Sequence, residues 1–145
     1  MIKEKYIVLG SDHAGYLLKE QIKQYLIKKK INVIDCGTEN TKRTDYPIFG
    51  KKVALLVSEN SNYKGIVICG TGIGIAKSAN LVKNIRCVPG INAKLVEHQV
   101  TSWDINVLSL GSRTTTFEMA QEMIEIFLNT SFKDINNLKY IKLIN

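Results

Sequence analysis

The run "GIVICG", residues 65–70, carries no polar side chain apart from a thiol, so it cannot present one wet face and one dry one. A strand that is apolar on both faces belongs inside a parallel sheet covered by helices above and below. The rest of the chain fits that demand. Short β-branched runs, "YIVLGS" (6–11), "INVIDCG" (31–37), "IRCVPG" (85–90) and "NVLSLGS" (106–112), alternate with longer segments of helical period. "YLLKEQIKQYLIKKK" sets Leu17, Leu18, Ile22, Leu26 and Ile27 on one predicted face, and "IFGKKVALLVSEN" resumes helical spacing after Pro47, a residue suited to a first turn. "IGIAKSANLV", "NAKLVEHQVTSW" and "FEMAQEMIEIFLN" supply three more helices, and "NNLKYIKLIN" a closing one. Strands and helices alternating across short connections give a doubly wound α/β sandwich of about five strands.

The bulk numbers narrow the classes of function. A chain of 145 residues is read as one domain, 1–145, with no linker or repeat. Its 20 Lys and Arg against 13 Asp and Glu leave a net charge of +7, which invites a nucleic-acid partner. The lysines are scattered, however, and the densest group, Lys28–Lys30, ends a predicted helix, where cations suit the dipole. No nucleic acid is expected. No apolar run is long enough to span a bilayer, so no membrane is expected either. The apolar core of "MIKEKYIVLGSDHAG" runs straight into Asp12 and His13, unlike a signal peptide, and the expected location is the cytoplasm. Cys36, Cys69 and Cys87 are odd in number and include no C-x-x-C pair, so neither a disulfide framework nor a zinc site is expected. Cys36 and Cys87 read as small buried hydrophobes.

In such a fold, ligands collect at the carboxyl ends of the strands. Three groups of informative residues fall there: Ser11-Asp12-His13, Cys69–Gly74 and Gly111-Ser112-Arg113. The glycine loop Gly70-Thr71-Gly72-Ile73-Gly74 lacks the last glycine of a dinucleotide fingerprint and the Gly-Lys-Ser/Thr of a P-loop, so no nucleotide cofactor is expected. What remains is a loop of amides opening a helix beside a thiol. Such donors stabilise an oxyanion, each worth roughly 3 kcal/mol to a transition state. The same field favours a thiolate, which suits proton abstraction next to a carbonyl or acyl transfer. The plainer alternative is a buried strand-end cysteine before a tight turn. Asp12 can cap the following helix, His13 can donate to a hydroxyl or phosphate, and Arg113 is either a phosphate fork or a surface ion pair.

Taken together, "GSDHAG", "TDYP", "ICGTGIGI" and "NVLSLGSR" resemble the ribose-5-phosphate isomerase B and galactose-6-phosphate isomerase family over nearly the whole chain. The resemblance implies a Rossmann-like three-layer α/β/α sandwich acting on a small phosphorylated sugar, with no metal or cofactor. It also implies a homodimer or tetramer with its site at the subunit interface. Cys69 would be the base moving a proton between C1 and C2, with Thr71 beside it as the second catalytic residue, in contact with the sugar. Gly70, Gly72, Ile73 and Gly74 would hold the enediolate, Asp12, His13 and Tyr46 would contact the sugar, and Arg113 would hold the phosphate.

The chain also departs from that pattern. Where the family's ribose isomerases carry a His-Asn pair that opens the sugar ring, this chain has Ser102-Trp103, and the positions of two phosphate-binding arginines hold Asn136 and Tyr140. Serine cannot exchange protons near neutral pH as imidazole does. His98, four residues before Ser102 on the same helical face, is the candidate replacement, and Lys139 and Lys142 are the nearby cations. Three readings follow: a ribose-5-phosphate isomerase, the thiol-bearing subunit of a galactose-6-phosphate isomerase paired with a related His-Asn-bearing subunit, or a sugar-phosphate binder without turnover.

Overall fold

Adjacent residues of one central strand point into two different cores. A computed structural model of the chain describes residues 5–144, so the first four residues of the stretch read against a signal peptide lie outside the described residues. In it, β3 (Tyr63–Cys69) sends Ile66 and Ile68 into one apolar cluster, and Val67 and Cys69 into another on the opposite face. This is the side-chain alternation of a strand buried on both sides. β1 (Tyr6–Ser11) divides Ile7 and Leu9 from Val8 in the same way. With β2 (Asn32–Asp35), β4 (Cys87–Pro89) and β5 (Val107–Gly111) they form a five-stranded sheet, all parallel, ordered β2-β1-β3-β5-β4.

Helices cover both faces. The first cluster is closed by α1 (Tyr16–Lys28), α4 (Ala93–Trp103) and α5 (Phe117–Asn129), the second by α2 (Tyr46–Glu59) and α3 (Ile73–Ala79). A last helix, α6 (Leu138–Ile144), buries Ile141 near β4, where Ile141, Ile144, Trp103, Ile85 and Cys87 line a cavity of about 340 Å³. The expected three-layer α/β/α sandwich is the observed one. No helix among the described residues is long and apolar enough to cross a membrane.

The first helix differs from its predicted face. Leu18, Ile22 and Leu26 are buried, but Leu17 and Ile27 are 67% and 48% exposed. The inward place beside Leu18 belongs to Lys19, which is fully buried. Its ammonium reaches the end of β2 and donates to both oxygens of Asp35, at 3.0 and 2.8 Å, and Lys23 donates to the same carboxylate at 3.0 Å. Burial alone would raise the Asp35 carboxyl; hydrogen bonds from Lys19, the Gly37 amide and Lys23 outweigh it and hold the group below its usual range. Cys36 also differs from expectation, being half-buried rather than core, whereas Cys87 is buried and its thiol pushed up by desolvation. The second helix begins at Tyr46, one residue ahead of Pro47, so the ring of Tyr46 leaves from the first turn.

A depressed carboxyl contributes stability above its unfolded value, about pH 4, and loses it as pH falls through the folded value. Asp35→Asn leaves the buried Lys19 with only Glu20, at 3.9 Å, as a counter-ion, and should cost about 3 kcal/mol at neutral pH. Urea denaturation across pH should show the gap to wild type narrowing toward acid, because wild-type Asp35 is then protonated too.

Candidate active site

The register of the sheet decides which residues meet. Ser11 pairs with Ile68 and Cys69 with Gly111, so the ends of β1, β3 and β5 lie side by side. Beyond them the backbone stays knitted: the Asp12 amide donates to the Ile68 carbonyl (3.2 Å), that of Ser112 to Cys69 (2.9 Å), and that of Arg113 to Gly70 (3.0 Å). Residues separated by up to a hundred positions are thereby held at one edge.

Cys69 is buried, 4% exposed, at the end of its strand. The loop after it turns back through Gly72, whose φ of +79° is a left-handed conformation that suits glycine. That turn aims the Gly72 amide at the sulfur, an N–H···S contact of 3.2 Å. A donor fixed on the sulfur stabilises negative charge there. Thr71 is exposed, and its hydroxyl accepts from the Ile73 amide at 3.2 Å. The loop is pinned from below by the Ser109 hydroxyl, which donates to the Gly72 carbonyl from a fully buried position on β5. Ser109 is a site residue that the sequence reading missed. Its signal was a hydroxyl inside the otherwise apolar "VLSLG".

Two exposed side chains border the loop. The Arg113 guanidinium lies against Gly70, where a built Cβ would sit 2.6 Å from Nη1. The Tyr46 ring, 41% exposed, lies against Gly74, where a built Cβ would be 2.7 Å from the ring. Asp12 and His13 join from β1. The Asp12 carboxylate caps the His13–Gly15 turn by accepting from the Gly15 amide (3.1 Å), the expected capping role. Thr44 was also missed: its hydroxyl accepts from the His13 amide at 3.0 Å, and its main chain meets His13 Nδ1 at 3.1 and 3.2 Å. With Nδ1 so occupied, a ligand would meet Nε2. The sequence-predicted residues Asp12, His13, Tyr46, Cys69, Gly70, Thr71, Gly72, Ile73, Gly74 and Arg113 are therefore carried by neighbouring ends of the sheet. A cleft of about 720 Å³ opens beside them over the end of β2, touching this group through Thr44.

The ring-opening candidates lie elsewhere in the same chain. α4 runs back from the carboxyl edge, which puts His98 at its middle and Ser102 in its last turn, about 13–14 Å along the helix from its start. His98 is exposed, and its Nδ1 meets the Ser102 hydroxyl at 3.3 Å. The end of this helix is tied to the C-terminal segment, with Asn137 Nδ2 donating to the Ser102 carbonyl (2.8 Å) and the amides of Lys133 and Asp134 to that of Thr101. The turn that carries Ser102 and Trp103 is thus tied to the segment that carries Asn136 and Tyr140.

Comparison with known proteins agrees with the fold. Residues 7–144 match the family model described as ribose/galactose isomerase. The chain is 37% identical to ribose-5-phosphate isomerase B of Escherichia coli strain K12 over 89% of this chain and 87% of that one. It is also 37% identical to the galactose-6-phosphate isomerase subunit LacB of Clostridium acetobutylicum, over 88% and 73%. The crystal structure of ribose-5-phosphate isomerase B from Mycoplasma genitalium with bound ribulose 5-phosphate superposes with a TM-score of 0.94, at 33% identity, over 99% and 95%.

One prediction tests how the Asp12–His13 turn is seated. A Cβ on Gly15 would lie 2.6 Å from the Ile68 carbonyl oxygen, an atom that cannot swing aside. Gly15→Ala should cost about 1–3 kcal/mol in thermal or urea unfolding. The same shift should weaken sugar-phosphate binding, measured by calorimetry, more than an equally destabilising substitution in the α5 core.

Proposed function

The chain belongs to the ribose/galactose isomerase family, and on that premise we propose that it interconverts ribose 5-phosphate and ribulose 5-phosphate in the cytoplasm. The observation that carries the reading is the Gly72 amide fixed on the Cys69 sulfur, inside a loop bordered by Arg113 and Tyr46. The Cys69 thiolate takes the proton from C2 of the open-chain aldose. The C2–H electron pair forms the C1=C2 bond, and the carbonyl electrons move onto O1. Amides of Gly70–Gly74 hold the resulting enediolate. A proton passes from O2 to O1, the double bond collapses, and the sulfur returns its proton to C1, leaving a ketone at C2. Arg113 holds the phosphate, while Asp12, His13, Tyr46 and Thr71 hold the sugar hydroxyls.

Ring opening is assigned to the hydrogen-bonded pair His98 and Ser102, acting from a second copy in a homodimer or tetramer, because Ser102 lies in the last turn of α4, the turn that runs away from the carboxyl edge of its own sheet. A second reading is favoured by the joint change at Ser102, Trp103, Asn136 and Tyr140. On that reading the chain is the thiol-bearing half of a galactose-6-phosphate isomerase, and a related His-Asn-bearing subunit supplies the missing groups.

Purified chain incubated with ribose 5-phosphate in D₂O should incorporate deuterium at C2 of recovered aldose, detected by NMR. Cys69→Ala should lower kcat by about 10²–10⁴ with little change in KM. Tight sugar-phosphate binding with neither ketose formation nor exchange on any aldose phosphate would refute the enzymatic reading. Turnover of galactose 6-phosphate that appears only with an added His-Asn-bearing subunit would establish the second reading. Should the homomer open the ring, His98→Ala should slow turnover of cyclic substrate more than binding.

A further inference from the structure

The buried Lys19–Asp35 pair lies outside the proposed chemistry, yet it is joined to it by an unbroken chain of hydrogen bonds. Asp35 Oδ1, itself held by Lys19 Nζ at 3.0 Å, accepts from the Gly37 amide at 2.8 Å. The carbonyl of that same Gly37 accepts from the Ser11 amide at 2.8 Å, and the Thr38 amide donates back to the Ser11 carbonyl at 2.8 Å. Ser11 is the last residue of β1, and Asp12 and His13 follow it directly. Toward β3 the turn is held by one backbone bond, Asp12 to Ile68 at 3.2 Å, and beyond it His13 is held by Thr44, so the Gly37 pair fixes the start of the turn and Thr44 its next residue. Lys19 is one helical turn beyond the His13–Gly15 turn, so the two ends of the tether close on one short segment.

We propose that Asp35 is a positioning residue: clamped by Lys19, its carboxylate fixes Gly37 and thereby sets the Asp12–His13 turn for the sugar. This rests on the reading that Asp12 and His13 hold the substrate. An ion pair serving only to join α1 to β2 would not need the third contact. Asp35 accepts from Lys19, Lys23 and Gly37 together, and only the Gly37 bond leads to the site.

The test separates the tether from the charge. Lys19→Met/Asp35→Asn and Lys19→Met/Asp35→Leu both remove the ion pair without stranding a buried charge, but only asparagine still accepts from the Gly37 amide. Thermal unfolding reports their stability. Hydrogen exchange at the Ser11 and Thr38 amides reports the tether, and KM for ribose 5-phosphate (Kd, if the wild type binds without turnover) reports the site. The leucine variant should exchange faster at both amides and show KM raised about tenfold or more, with kcat less affected. The asparagine variant should keep both near wild type, a rescue that a purely structural role would not give. Should the leucine variant not fold, Lys19→Met/Asp35→Ala carries the same comparison. Equal exchange in the two variants overturns the tether. Faster exchange with unchanged KM overturns the link to substrate, and places the fault in the assignment of Asp12 and His13 rather than in the hydrogen-bond chain.

Discussion

In a parallel sheet every strand ends on the same edge, and the backbone bonds between strands fix how far each one extends. Here the pairings Ser11–Ile68 and Cys69–Gly111 bring three strand ends level, and the loops beyond them continue to bond across the gap. Asp12, Cys69 and Arg113 are therefore delivered to one place by main-chain geometry, before any side chain makes a choice. The chemistry depends on that alignment. A one-residue slip of β3 would turn the Cys69 sulfur to the opposite face of the sheet, away from the turn that aims Gly72 at it.

Beyond the alignment, polar side chains tie the loops down, one from inside the sheet and one from the margin of the cleft. Ser109 on β5 bonds the Gly72 carbonyl from beneath the glycine loop, and Asp35 holds the Gly37 amide beside the Asp12 turn. Ser109 is fully buried and Asp35 half-buried, and each is satisfied by a backbone group in or beside a loop that carries proposed site residues. A buried polar group with its partner in place costs little, but displacing the partner leaves an unpaired group behind. That asymmetry holds the loops in one conformation more strictly than apolar packing would.

The same polar groups mark where sequence reading reached its limit. Both-face burial of β3, the order of elements and the glycine loop at a strand end were legible because apolar period and glycine spacing are local signals. The inward place of Lys19 was not, because a periodicity count assigns lysine to the outside, and its counter-ion lies sixteen positions away on another element. Counting Leu17 and Ile27 as core was the other half of that error. Thr44 was passed over for a related reason: a threonine in a polar loop looks ordinary until His13, thirty-one positions earlier, is seen to lean on its main chain. Position along α4 was legible in principle, since a helix that follows one strand and precedes its neighbour must run back along the sheet. Ser102 near the helix end therefore had to lie away from the glycine loop.

That geometry bears on how the departures from the family pattern should be weighed. Scattered substitutions in a catalytic site would read as decay of activity. Here the glycine loop, its thiol, Arg113 and the Asp12 turn are all present and mutually bonded, while the changes at Ser102, Trp103, Asn136 and Tyr140 lie on the last turn of α4 and the segment tied to it. Trp103 there lines an apolar cavity with Ile141 and Ile144. Of these only Ile141 is buried; Trp103 and Ile144 keep 36% and 73% of their surface exposed, so the cavity is an open apolar one. A complete thiol loop beside a changed far end of α4 is the pattern that the two-subunit reading expects.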